Sequence, residues 1–396
     1  MFKNRIFLAV VSGHFVVDVL NSTGAVLLAV LREPLGLSYA QVGMALTIYL
    51  LVGSLSQPLF GWLSDRAHGR TMLLAAISVA WMALFFSLVA FAPSWAWLLP
   101  AFLLAPLGSG LFHPIGASAS GAAIPERAAT ATSLFFFFGQ IGLAIGPFLT
   151  GALVGLLGLP GLLPLTALAL IPAAMLLFAA RDERGMVVRR RPVARTEARA
   201  VTGLAVALIS AFVILVAMRS SLQQIYQSYL PQLFQDRGWS PALFGLMAGV
   251  FMGAGAVGQM VSGGVADRYG MRAAVFWPLL LAVPAGLICL LAPSVWGALV
   301  ACAAFGLLVG GQHSVLVVHA QQLLPVKQGF AAGLILGFTF ASGTLGTWVA
   351  GQLADRAGLE TVMIWATALS LPCALLALTL PGRQQTVAAA TAPAGD

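Results

Sequence analysis

Apolar residues fall along this chain in twelve long blocks separated by short polar joints. The blocks run roughly over 6–31, 40–64, 71–92, 95–122, 128–157, 160–180, 201–231, 240–266, 272–292, 295–323, 328–354 and 359–381. A helix of about 20 apolar residues crosses a hydrocarbon core of about 30 Å, so each block predicts one transmembrane helix. No two-residue alternation recurs at the spacing a membrane barrel needs. The predicted fold class is an all-α membrane protein with twelve transmembrane helices. Lys3 and Arg5 ahead of the first block imitate a secretory leader. The block is too long for one, lacks a clear small-residue cleavage site and contains His14 and Asp18, so it reads as a retained first span.

The longest charged stretch, from Arg181 to Arg199, divides the blocks six and six. The expected organisation is an N-terminal six-helix bundle over 1–180, a basic linker over 181–200, a C-terminal six-helix bundle over 201–382 and a disordered tail over 383–396. The halves look alike. A shift of 200 positions carries Gly110 onto Gly310, His113 onto His313, Pro125 onto Pro325, Gly146 onto Gly346 and Gly151 onto Gly351. Near the second block the shift is 202, carrying Gly43 onto Gly245, Asp65 onto Asp267 and Arg66 onto Arg268. Two pseudo-symmetric bundles with a site between them is an architecture of secondary transporters.

Composition narrows the class further. Hydrophobic residues make up 60% of the chain and charged residues 8%, against about 25% charged in a soluble domain. The net charge of +8 does not point to nucleic acid, because the charges sit at alternate ends of the blocks. Of 20 Lys and Arg, 16 lie on one side, and only Arg32, Arg237 and Arg356 on the other, with Arg219 inside a span. This positive-inside bias places both termini and the 181–200 linker in the cytoplasm of a bacterial-type inner membrane. Cys289, Cys302 and Cys373 lie inside predicted spans without metal or disulfide spacing and read as small buried residues.

Two strings repeat at one end of the second and eighth blocks. The first is Gly61-Trp-Leu-Ser-Asp65-Arg66-Ala-His-Gly69-Arg70, and the second Gly264-Val-Ala-Asp267-Arg268-Tyr-Gly270-Met-Arg272. A glycine permits close helix approach, and a carboxylate suits a neighbouring helix N-terminus. The plain alternative is a tight turn with topology charges; duplication at matched positions favours a conformational latch built from Gly61, Asp65, Arg66, Arg70, Asp267 and Arg268. A related string, Gly351-Gln-Leu-Ala-Asp355-Arg356-Ala-Gly358, falls at the opposite end and has no assigned role.

These residues resemble the loop motif of the major facilitator superfamily, with one extra residue between Arg66 and Gly69. The resemblance extends through Pro381 and implies twelve helices in two six-helix bundles. Gly139-Gln140-Ile-Gly142, then Gly146-Pro147 and Gly151, is similar to the glycine-proline motif of the superfamily's exporters; packing by Gly142, Gly146 and Pro147 is its expected role. Gly13-His14 with Asp18, and Gly108-Ser-Gly110-Leu-Phe112-His113-Pro114, look like the fosmidomycin-resistance type of drug exporter. That resemblance implies proton-driven extrusion of small compounds, and the superfamily fold implies that the first, fourth, seventh and tenth helices line a central cavity.

Those four helices carry the ionisable groups that apolar spans otherwise exclude, at a cost of several kcal/mol each. His14, Asp18 and Asn21 share a helical face at i, i+4, i+7, and Arg219, Gln223 and Tyr226 repeat that spacing. Asp18, His14, His113 and His313 are the candidate proton-coupling residues. Arg219, Asn21, Gln223, Tyr226 and Gln140 are the candidate substrate-binding residues, Arg219 offering a fork of donors to an anion. An Asp18 facing Arg219 would let proton and substrate compete for one charge centre; the plain alternative is a static ion pair. His319 reads as structural and His68 as solvated.

The expected function is a drug/H+ antiporter for small anionic or amphiphilic compounds, monomeric, powered by the proton gradient without a cofactor or a bound metal. The alternatives are an uptake symporter, a metal or metal-chelate transporter drawing on His14, Asp18, His113 and His313, and a membrane sensor. No nucleophile motif or phosphate-binding loop points to an enzyme or a nucleotide-driven pump.

Overall fold

A computed structural model of the chain describes residues 2–66, 69–181, 203–323 and 328–382. Residues 182–200 of the expected linker over 181–200, the tail over 383–396 and His68 lie outside the described residues. No strand occurs among the described residues. Eleven helices there are long and apolar enough to cross a membrane: Arg5–Arg32, Tyr39–Ser64, Thr71–Ala90, Trp95–Ala123, Ala131–Leu157, Leu159–Ala179, Val206–Asp236, Pro241–Tyr269, Met271–Leu291, Val295–Val317 and Leu359–Ala377. A further helix, Gln328–Ala357, occupies the place of the expected eleventh span. The spans are named below by their order among these twelve.

The internal repeat is written into the backbone. Six glycines among the described residues hold positive φ, and they form three matched pairs. Gly36 (φ 61°) matches Gly238 (φ 76°), Gly69 (φ 70°) matches Gly270 (φ 91°), and Gly158 (φ 69°) matches Gly358 (φ 83°). The offset falls from 202 to 201 across the extra residue between Arg66 and Gly69, and then to 200. Gly36 and Gly238 even close the same hydrogen-bonded cap. Gly36 N–H donates to Glu33 O (3.1 Å) and Leu37 N–H to Arg32 O (2.8 Å). Gly238 N–H donates to Gln235 O (2.8 Å) and Trp239 N–H to Phe234 O (3.0 Å). This is the paired closure that ends a helix with a left-handed residue, a conformation glycine adopts without steric cost.

Three of the four spans that carry intramembrane ionisable groups are interrupted. The first divides at Ser22, where Ser22 Oγ donates back to Asp18 O (3.0 Å) and Val19 O (3.1 Å). Hydroxyls that bond backward in this way compete with the helical ladder. The fourth divides at Ala105, just before Pro106, which has no N–H to continue the ladder. The tenth divides at Gly311, between helices Val295–Gly310 and Gln312–Leu323.

Large apolar side chains cover the outside. Leu156 is 81% exposed, Trp296 77% and Met260 72%. Such a surface is a liability in water but matches lipid tails. Cys289, Cys302 and Cys373 are buried thiols outside any disulfide.

The described helices pack into two compact units. The first comprises Met1–Arg191 with Ser228–Gly249, and the second Pro192–Gln227 with Val250–Asp396. Glycines tie Ser228–Gly249 into the first unit: a Cβ at Gly151 would overlap the Pro241 carbonyl, one at Gly245 the Pro147 carbonyl, and one at Gly249 the Ala144 carbonyl. At the end of the same segment, Asp236 accepts from Arg32 Nη2 and from the Tyr39 hydroxyl, and Arg32 lies 4.6 Å over the Tyr39 ring.

Candidate functional site

In the first unit, helical pitch sets His14 and Asp18 one turn apart, with His14 Nε2 3.1 Å from Asp18 Oδ2. The fourth span adds His113, whose Nε2 lies 3.5 Å from Asp18 Oδ1 and 3.3 Å from His14 Nε2. Asn21 Nδ2 donates to Asp18 Oδ1 (3.0 Å) and to Ser109 Oγ (2.8 Å). Tyr49, from the second span, donates its hydroxyl to Asn21 Oδ1 (3.3 Å). His14 is 2% exposed and Asp18 5%, while the His113 side chain, at 23%, is the accessible edge of the cluster.

The far side of each imidazole fixes its tautomer. His14 Nδ1 is 2.7 Å from the Phe135 carbonyl, and its ring stacks on Phe135 with centroids 3.8 Å apart. His113 Nδ1 is 2.9 Å from the Ser109 carbonyl and 3.2 Å from Ser109 Oγ. A carbonyl oxygen can only accept, so both Nδ1 atoms carry the hydrogen and both neutral rings present a bare Nε2. Two nitrogen lone pairs and a carboxylate therefore converge on one point.

The glycine stripe of the fifth span makes room for this. A Cβ at Gly139 would fall 2.6 Å from both Asp18 Oδ2 and His14 Nε2. One at Gly142 would overlap the Phe15 carbonyl, and one at Gly146 Ser22 Oγ and the Val19 carbonyl. The stripe thus lies flat on the first span from His14 to Ser22. Pro147 stands inside this helix. Half-buried Gln140 is next to the stripe.

In the second unit Arg219 is 1% exposed. Its Nη2 donates to Val309 O (2.6 Å) and Gly310 O (3.3 Å), while its Nε has no hydrogen-bond partner. These carbonyls end the first part of the divided tenth span, where the helix dipole is negative and the last carbonyls lack intrahelical donors. The basic groups beside Asp18 are the imidazoles of His14 and His113, and Arg219 is held by a helix terminus. Tyr226 is fully buried, packed 4.3 Å from Phe305 by ring centroids, with its hydroxyl bonded to Thr367. Gln223 and His313 are half-buried. His319 is buried edge-on to Phe212.

The latch strings are placed as follows. Gly61 is not compressed: a Cβ there would meet Pro114 at an ordinary 3.7 Å, and Gly264 faces open space. The glycines that the backbone requires are Gly69 and Gly270, which hold positive φ. Arg66 stacks 3.6 Å over Trp62, Arg268 lies 5.3 Å over Tyr269, and Arg70 and Asp267 are partly or fully open to the surroundings. The Asp65 side chain is outside the described residues.

Sequence reasoning missed Tyr49, the role of Ser109, and the Arg32–Asp236 pair. Ser109 stands one turn before His113, a spacing that could have suggested it; nothing local marks Tyr49 as a neighbour of Asn21.

Known proteins agree with this architecture. The family model described as Major Facilitator Superfamily matches residues 10–231 and 207–396. An uncharacterized MFS-type transporter, YfnC of Bacillus subtilis (strain 168), is 27% identical over 384 residues, 94% of this chain and 91% of that one. The fosmidomycin resistance protein of Escherichia coli (strain K12) is 27% identical over 360 residues, covering 89% and 87%. Among solved structures, a bacterial homologue of the human lysosomal transporter Spinster, inward-facing and unoccupied, aligns with TM-score 0.73 at 16% identity over 95% of this chain and 97% of that one. The nucleoside transporter NupG aligns with TM-score 0.70 at 15% identity, covering 94% and 98%. This chain is a multi-pass membrane transporter, not an enzyme, and it belongs to the Major Facilitator Superfamily.

Proposed function

We propose that the chain is a proton-coupled exporter of small anionic or amphiphilic compounds. It works by alternating access in a bacterial-type inner membrane, as a monomer with both termini cytoplasmic. One observation carries this reading: His14 Nε2, His113 Nε2 and the Asp18 carboxylate lie within 3.1–3.5 Å of one another, and with both Nδ1–H groups turned to carbonyls the neutral rings bring no hydrogen between them. A single proton on either Nε2 converts that repulsion into a hydrogen bond. The cluster is therefore a place where one proton changes the local packing, at the partly exposed edge of His113. Arg219, buried with an unused Nε–H, supplies the anion-binding fork. The glycine stripe beneath Asp18 and the fosmidomycin resistance relative support export over uptake.

The test uses purified protein in proteoliposomes preloaded with candidate compounds, under pH gradients of either sign. Entry of protons should drive compound out, and Asp18→Asn should abolish that coupling while the chain still folds. Co-movement of proton and compound in the same direction would make the same cluster that of a symporter. Normal pH-driven exchange by the Asp18→Asn variant would remove Asp18 from the mechanism.

A further inference from the structure

The cluster that invites a proton also has the dimensions of a metal site, and we infer that His14, Asp18 and His113 bind a divalent transition-metal ion of the zinc class. The inference stands on geometry and does not depend on proton coupling. Zinc is held tetrahedrally at about 2.0–2.2 Å by imidazole and carboxylate, which sets neighbouring donor atoms about 3.3–3.5 Å apart. The spacings here are 3.3 Å between the two Nε2 atoms, 3.1 Å from His14 Nε2 to Asp18 Oδ2, and 3.5 Å from His113 Nε2 to Asp18 Oδ1. The carboxylate straddles the pair, one oxygen toward each ring, and one donor atom can be chosen from each residue so that all three lie within 4.8 Å of one another.

The surroundings are those a metal needs. Both imidazoles donate Nδ1–H to a backbone carbonyl, Phe135 and Ser109, which leaves Nε2 free to ligate and holds each ring in place. Asn21 Nδ2 orients the carboxylate through Oδ1. Two imidazoles and one carboxylate suit zinc, cobalt, nickel, copper or iron, and do not suit magnesium or calcium, which require oxygen. Three protein ligands leave a fourth position, and the half-buried edge of His113 is where a water or exchangeable anion can reach it. The ion with these ligands carries one net positive charge, so the open position favours an anion. That makes a metal–anion complex the chemical class of ligand for the filled site.

Cobalt serves as the optical probe because tetrahedral Co2+ absorbs visible light far more strongly than the hydrated ion. The full chain, free of any histidine tag and held in detergent, should bind one Co2+ with the tetrahedral spectrum. Zn2+ should displace it and Mg2+ should not. His113→Gln, at the accessible edge where packing suffers least, and Asp18→Asn should each weaken binding at least ~10-fold, whereas His68→Ala should leave it unchanged. A hydrated-ion spectrum with the unaltered chain overturns the inference, whatever the variants do. So does equal binding by the His113 and Asp18 variants, since the metal would then sit elsewhere. Proton-driven exchange in chelator separates the two readings. If it persists and Co2+ does not bind, the metal site falls alone. If Co2+ binds and Asp18→Asn exchanges protons normally, the proton reading falls alone.

Discussion

Gly139 is the floor beneath Asp18: a Cβ at this position would sit 2.6 Å from the carboxylate oxygen Oδ2. The fifth span thereby controls the position of a charge carried by the first. Gly139→Ala should push Asp18 and His14 off their present geometry, with an overpacking cost of about 1–3 kcal/mol. Proton-linked transport should fall much more than the amount of folded protein. Gly337→Ala, where nothing lies within 4 Å, is the matched control and should be silent in both assays. Full transport by the Gly139→Ala variant would show that this spacing does not matter.

Asn21 links Asp18, Ser109 and Tyr49. Asn21→Leu strands those partners in a part-buried site, at about 1–3 kcal/mol for a buried polar group left unsatisfied. The expected result is a lower melting temperature together with impaired coupling. Tyr49→Phe removes one long bond of 3.3 Å and should cost less than Asn21→Leu; the reverse order would mean that Tyr49 has a role beyond orienting Asn21.

Arg219→Lys is not conservative here. Nη2 alone donates to both carbonyls, so what a lysine ammonium lacks is the separate, spare Nε–H of the planar guanidinium. Affinity for anionic compounds should drop by roughly 10-fold or more, equivalent to about 1.4 kcal/mol, while neutral compounds are little affected. Equal losses for both classes would assign Arg219 to structure alone.

Arg32 and Asp236 are partly exposed, at 20% and 26% of their side chains. Such pairs contribute about 0.2–1 kcal/mol. Arg32→Ala and Asp236→Ala should each shift stability or transport only a few-fold, with the effect shrinking at high salt. The reciprocal exchange of the two charges should recover part of the loss. A double-mutant cycle showing no coupling would reduce the pair to coincidence.

Gly36→Ala and Gly238→Ala should each destabilise by about 1–2 kcal/mol, because both hold a left-handed backbone. Similar costs at the two positions, read by thermal melting, would establish that the matched caps are equivalent.

The linear order of residues is enough to set the number and rough limits of the spans, because crossing hydrocarbon demands about 20 apolar residues whatever the neighbours are. It is enough to reveal the repeat, which the matched glycines with left-handed backbone carry into the structure. It also places His14, Asp18 and Asn21 on one face, since helical pitch alone makes neighbours of residues three and four apart. Which span each face meets could come only from the packed bundle. His113 reaches Asp18 from 95 positions away, Gly139 lies beneath it, and Arg219 rests on the carbonyls of a divided helix. In water an apolar stripe would have signalled the buried face. In lipid both faces are apolar, so rotation about the helix axis is set by glycine contacts and hydrogen bonds between helices, which no single span's pattern contains.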